Sequence, residues 1–211
     1  MGYKTVQSLV ITASTETLHR STNVGFKDKL LWEHALGVAL AARILAQECR
    51  YASVEEAFLG GLLHDIGKVA LNRYLGARYQ AVVESLYNQG STSLEAEQEG
   101  LGFAHMEVGA LMIKKWNMSA ALEGVVRLHH QPMASAINQP LCAIVSLANR
   151  ACLKLGRGPE RMPDLDLAQL DGTARLKIAP ERLALMCRPP RPSLPGKKSY
   201  SASHDPSHRM G

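Results

Sequence analysis

Apolar residues in this chain recur at every third or fourth position over long stretches and almost nowhere in strict alternation. That spacing puts them on one face of a 3.6-residue turn, so the pattern predicts helices joined through aliphatic stripes. Leu31, His34, Val38, Ala42 and Leu45 form one stripe, on a helix predicted from Lys29 to Gln47. Ser53 and Glu56 have capping-box spacing, and the helix they open is expected to run through Phe58, Leu62 and His64 to Gly67 as its C′ glycine. Tyr79, Val82, Val83 and Leu86 make another stripe, closed by Gly90, and His105, Val108, Met112 and Trp116 align on a further helix. Ser119 caps the next, with Leu122, Val125, Val126 and His129 inward and Gln131-Pro132 at its end. Pro140 stands early in a helix from Leu141 to Leu155, stopped by Gly156. Pro180 opens a short last helix through Leu183 and Met186. The weak alternation at Val6 to Thr12 suits a helix equally well. The expected fold class is an all-α bundle.

Composition narrows the class. The 211 residues are 46% hydrophobic but only 5% aromatic, enough for one well-buried domain with an aliphatic core. The longest apolar run, Ala35 to Ala42, stops at Arg43 and is far short of a membrane span. No signal-peptide pattern opens the chain, and Val6 stands where a myristoylation motif needs Ser or Thr. Cys49, Cys142, Cys152 and Cys187 form no CxxC pair and no zinc spacing, which fits reduced thiols in a cytoplasmic protein. The net charge of +5 gathers in the last residues, where Arg188, Arg191, Lys197, Lys198 and Arg209 face only Asp205. This Pro- and Ser-rich tail, 188–211, is expected to be disordered. The folded part, 1–187, is left close to neutral, so no nucleic-acid binding is expected from it.

The chemistry lies in the histidines. His34, His64, His105 and His129 fall on the inward stripes of four helices. Imidazoles buried together each need a hydrogen-bond partner, and charging one disfavours charging the next. A shared metal ion answers both demands, because neutral imidazole nitrogen is a good ligand for Zn, Fe, Mn or Ni. In Gly61-Leu62-Leu63-His64-Asp65-Ile66-Gly67-Lys68 the adjacent His and Asp project about 100° apart at a helix end. Both can then bind one ion while the second carboxylate oxygen bridges to another. Lys68 follows, either reaching a phosphate oxygen near the site or lying solvated beside a helix C-terminus.

Four segments in this order resemble the HD superfamily: Trp32-Glu33-His34, then Leu63-His64-Asp65-Ile66-Gly67-Lys68, then Gly102-Phe103-Ala104-His105-Met106-Glu107-Val108-Gly109, then His129-His130. Within it the match is to the HDOD domain, the HD-related output domain of bacterial signalling proteins. The Trp116 to Arg127 stretch and Leu147-Ala148-Asn149-Arg150 add to the likeness, which runs from Gly2 to Met186. The resemblance implies an HD-like helical domain over 1–187. It also implies one metal site of His34, His64, Asp65 and Asn149, and a second in which Asp65 bridges to an ion held by His105, His129 and His130. The implied cofactor is one or two divalent ions, Fe, Mn, Zn, Ni or Mg.

Two departures bear on activity. Asn149 stands where the superfamily has a metal-binding Asp, and Gln131-Pro132 follows the His pair in place of the Gly-Tyr-Pro signature of the cyclic-dinucleotide phosphodiesterases. The resemblance therefore implies a non-catalytic regulatory module of signalling with a metal or small-ligand pocket. It would be served by a signalling partner or by self-association, and a small phosphate-containing ligand would suit it. The alternative is a metal-dependent phosphohydrolase acting on a nucleotide or phosphodiester, with Asp65 and Lys68 in catalytic roles and metal-bound water as nucleophile. A helical protein with buried histidines and no metal is the third reading. Met1 to Val6 resembles the segment that follows the N-terminal helical lobe of HDOD domains. The chain is thus expected to lack that lobe and to expose an apolar face at Val6, Leu9, Val10 and Ile11.

Overall fold

Stripes at helical spacing become helices throughout the computed structural model, which describes residues 8, 10–16, 26–89, 91–134, 139–158, 160–179 and 181–183. In chain order these are α1 (residues 10–16), α2 (Phe26–Glu48), α3 (Val54–Leu63), α4 (Ile66–Leu75), α5 (Ala77–Gln89), α6 (Ser93–Leu101), α7 (His105–Lys115), α8 (Ala120–Leu128), α9 (Gln139–Lys154) and α10 (Asp171–Leu176). Short 3-10 turns lie at Pro132–Ala134 and Leu167–Gln169. There is no strand among the described residues, and no helix there is long and apolar enough to cross a membrane. The fold is all-α.

The longest helices, α2 and α9, lie against each other. Val38, Ala42 and Leu45 of α2 share the largest apolar cluster with Leu141, Ile144, Val145 and Ala148 of α9, all fully buried. Alanines at Ala42 and Ala148 let the two backbones approach, and each buried Leu or Ile contributes about 1.5–3 kcal/mol. A second cluster joins Ala35 and Ala39 to Phe58, Leu62 and Leu63 of α3 and to Leu122 and Val126 of α8. A third, with Leu71, Tyr79, Val82 and Ala96, holds α4, α5 and α6.

Several sequence expectations need correction. Ser53 makes no side-chain capping bond, and Glu56 accepts instead from Ser119 Oγ at 3.0 Å, tying α3 to the start of α8. The helix expected to reach Gly67 stops at Leu63, turns at His64-Asp65 and restarts as α4 with Gly67 in its first turn. Gly67 is thus no C′ glycine. A Cβ there would lie 1.9 Å from the His105 carbonyl oxygen, so a bare backbone is what lets α4 meet α7. Trp116 is 43% exposed, because the buried face of α7 is His105, Gly109, Ala110 and Ile113. Helices α4 and α6 come in addition to the expected elements. Val10 is 60% exposed, Ile11 is half-buried against the second cluster, and Val6 and Leu9 lie outside the described residues. The last helix is described only at 181–183, and the tail at 188–211 lies outside the described residues.

The glycines give a test with opposite signs. Gly67→Ala must push α4 from α7 and should cost about 1–3 kcal/mol or more. Gly124→Ala, inside α8 with nothing within 4 Å of the new Cβ, should stabilise by about 0.5–1 kcal/mol. Chemical denaturation of the two variants checks both signs.

Candidate metal centre

Five imidazoles surround one carboxylate. His34 comes from the middle of α2, His64 and Asp65 from the turn between α3 and α4, His105 from the first residue of α7, and His129 and His130 from the end of α8. Each lies where an apolar stripe turns its helix inward, so core packing and site assembly are one event. His34, His64, His105 and His129 are at most 1% exposed, Asp65 is 6% exposed, and only His130 is half-buried.

Every fully buried imidazole is oriented from behind. Nδ1 of His34 donates to the Arg157 carbonyl at 2.6 Å, Nδ1 of His64 to the Gly61 carbonyl at 2.7 Å, and Nδ1 of His129 to the Val126 carbonyl at 3.0 Å. A carbonyl oxygen only accepts, so these rings carry their proton on Nδ1 and turn the Nε2 lone pair inward. Nδ1 of His105 lies 2.6 Å from Glu97 Oε2, which also accepts from the His105 backbone N–H at 2.7 Å. Tyr79 donates to the other oxygen of Glu97 at 2.7 Å. Gly158, at φ +151°, lets the 156–158 loop close over His34, since a Cβ there would lie 2.7 Å from its Nδ1.

The inward nitrogens divide over the two oxygens of Asp65. Nε2 of His105 and of His129 lie 3.2 and 3.5 Å from Oδ1, while Nε2 of His64 and of His34 lie 3.4 and 3.8 Å from Oδ2. Nε2 of His130 is 3.3 Å from Nε2 of His105. Two candidate ligand groups result: Asp65 with His105, His129 and His130, and Asp65 with His34 and His64, the donor atoms of each lying within 4.8 Å of one another. Despite this crowding, His64 Nε2 and Asp65 Oδ1 are buried without a hydrogen-bond partner, as is Asn149 Oδ1 on α9. A ring nitrogen and a carboxylate oxygen left unpartnered amid converging ligand groups are what a cation satisfies, so this cluster can hold a metal.

Charge follows the geometry. Burial, aided by His64, holds His34 down to about 4, and burial outweighs the pull of Asp65 to hold His129 at about 4. Burial likewise pushes His130 down. For Asp65, burial alone would raise the carboxyl, but His64, Lys68 and the adjacent His105 and His129 hold it well below the usual carboxylate range. Burial and Lys68 oppose a charge on His105, yet Asp65 and Glu97 raise its pKa. Glu97 is lowered, as His105 and Lys68 outweigh its burial.

Lys68 is not a solvated cation. It is 5% exposed and donates to Asp65 Oδ2 at 3.0 Å. Asn149 is 4% exposed within α9. Glu97 and Tyr79 were missed as site residues. The available signal was Thr92 and Glu95, which form a true capping box and start the helix that delivers Glu97.

These pKa directions predict how the metal-free chain responds to acid. His34, His129 and His130 bind protons less readily folded than unfolded, so the unfolded state takes up more protons as pH falls below 6.5. His105 works the other way but is outnumbered. Melting temperature in a chelator should therefore fall steadily from pH 7 to pH 5, as thermal melts across that range would record.

Solved structures share this fold. An HDOD domain protein of unknown function from Geobacter sulfurreducens superposes with a TM-score of 0.77 at 24% identity, covering 83% of this chain and 61% of that one. A protein from Shewanella amazonensis SB2B, provisionally named a phosphohydrolase, gives 0.69 at 25% identity, covering 89% and 68%. One from Marinobacter aquaeolei VT8, provisionally named a signal transduction protein, gives 0.71 at 21%, covering 88% and 42%. A protein of Treponema pallidum (strain Nichols) is 25% identical over 156 residues, which span 71% of this chain and only 29% of that relative's length. The HDOD domain family itself matches residues 1–132, more than half of the sequence, and the chain belongs to that family.

Proposed function

We propose that this chain is a cytoplasmic regulatory module of bacterial signalling, with a folded domain at 1–187 and a tail at 188–211. Its histidine–aspartate cluster holds a divalent ion for structure or sensing rather than for turnover. The carrying observation is the convergence of five imidazoles on Asp65, with His64 Nε2 and Asp65 Oδ1 buried and unpartnered and the four fully buried rings fixed from behind. His34, His64, Asp65, His105, His129, His130 and Asn149 are the ligand candidates. A bound ion would supply the missing partner of these atoms and polarise any oxygen brought to it. The relative named for signal transduction supports the regulatory reading. A protein partner or a second copy of the chain would read the state of the cluster.

Space argues against a nucleotide substrate. One cavity, about 640 Å³, is lined by residues such as Thr15, Glu56, Trp116 and Ser119 and shares none with the cluster. Another, about 240 Å³, meets the cluster at His130, beside Ser146 and Arg150. That is below the roughly 300–1,000 Å³ of usual ligand sites. It suits a small phosphate or carboxylate anion against the Arg150 guanidinium. Asn149 in place of a carboxylate points the same way.

The phosphohydrolase reading is favoured by Asp65, whose two oxygens face two ligand groups, and by the relative that carries that name. There Asp65 would orient the ions and Lys68 would steady a phosphoryl oxygen. Elemental analysis of the purified chain with an aryl phosphodiester assay separates the readings. Bound metal without hydrolysis is expected, hydrolysis would establish the alternative, and absence of metal after loading would leave only the structural role.

Glu97 provides a second measurement. It fixes the ring of His105 without being a ligand candidate, so Glu97→Gln should weaken metal affinity about 10- to 100-fold. Tyr79→Phe, one bond further out, should weaken it less. Competition with a fluorescent chelator reads both.

A further inference from the structure

We propose that the centre is unequal by construction: it holds one divalent ion on the Oδ1 side of Asp65, among His105, His129 and His130, while the Lys68 ammonium takes the place of a second ion on the Oδ2 side. This rests on the metal-binding reading above and adds which half of the cluster is filled and why.

The two oxygens of Asp65 differ. Oδ2 already accepts a hydrogen bond from Lys68 at 3.0 Å, whereas Oδ1 is buried without one. Lys68 stands in the first turn of α4, three residues after Asp65, and is 5% exposed, so its ammonium has little water to turn to. The other groups on the Oδ2 side, His34 and His64, commit their Nδ1 protons to carbonyls and add no carboxylate. Asn149, which the family order assigns to that side, is a neutral amide. A dication there would meet an ammonium in a buried place with no added negative charge to offset it.

The Oδ1 side is built the other way. Its four groups, Asp65, His105, His129 and His130, are all imidazole or carboxylate, whereas the opposite side has three such groups and a neutral amide, Asn149. Behind His105 stands Glu97, 1% exposed, a second carboxylate within one ring of the ion. Asp65 and Glu97 are the carboxylates at the centre, and with the Lys68 ammonium they sum to −1, which one divalent ion already offsets and a second would far overshoot. His64 Nε2, unpartnered on the Oδ2 side, marks a latent second position that the ammonium keeps closed.

The test is metal stoichiometry of the full chain, loaded with Mn(II) or Zn(II) alone, dialysed and measured by plasma mass spectrometry, with circular dichroism to establish folding. Wild type should bind one ion. His130→Asn should lose it and His34→Asn should keep it. The doubly substituted chain Lys68→Met, Asn149→Asp should bind two, and with Mn(II) its electron paramagnetic resonance should show exchange coupling. Two ions in wild type, or one ion lost with His34→Asn and kept with His130→Asn, would overturn the proposal while leaving the metal reading intact. A folded double variant still holding one ion would overturn the role of Lys68. Should the double variant not fold, the contrast between His34→Asn and His130→Asn decides alone. A wild type that binds no ion under either metal would sink the metal reading, and this proposal with it.

Discussion

A carboxylate buried among five imidazoles cannot be left to chance, and in this chain Asp65 governs where four helices end or turn. Ionised and 6% exposed, it needs positive or donating groups on every side. One is supplied within the same turn, since Lys68 follows after three residues and returns its ammonium to Oδ2. The ring nitrogens of His34, His105 and His129 reach Asp65 from α2, α7 and α8, whose aliphatic stripes bring them to the same place. Apolar burial therefore provides the energy of assembly and Asp65 provides its register. A slip of any one helix by a residue would leave a charge or a lone pair facing hydrocarbon.

The readable part of this arrangement was the part carried by apolar periodicity. His34, His64, His105 and His129 sit on stripes that the sequence displays directly, and their burial follows from the same rule that buries Val38 or Val126. Helix α6 was not visible in that way. Its nine residues, Ser93–Leu101, are mostly polar, and beside the small Ala96 its inward face carries Glu97, held by Tyr79 and His105. A periodicity argument looks for hydrocarbon and passes over a helix whose anchor is a carboxylate. Lys68 was hidden for the same reason, because burial of an ammonium depends on a partner that only the fold brings near.

Gly67 shows a different kind of misreading. A glycine after a histidine-rich helix end has two physical uses, a left-handed cap or a close approach, and sequence alone does not separate them. Here the approach decides. The His105 carbonyl occupies the space of the missing Cβ, so the glycine serves the α4–α7 contact that places His105 against Asp65. The turn at His64-Asp65, which the expected continuous helix ignored, is what splays the two side chains and lets the carboxylate present one oxygen to each group of rings.

Tight support and poor access are two faces of one design. Rings fixed by carbonyls of Gly61, Val126 and Arg157 cannot swing to follow a reacting group, and a helix–loop cover over His34 removes solvent from that side. Such rigidity favours holding an ion over exchanging substrates around it. His130 is the exception: its Nε2 belongs to a candidate ligand group while its ring borders a cavity that also contains Arg150. Arg150 follows Asn149 on α9, the helix that packs along α2 and against α10. An anion settling beside Arg150 would therefore press on the half-exposed ring and on the central helix together. That gives the fold a physical route by which the occupancy of a buried centre and the position of an outer helix can depend on each other.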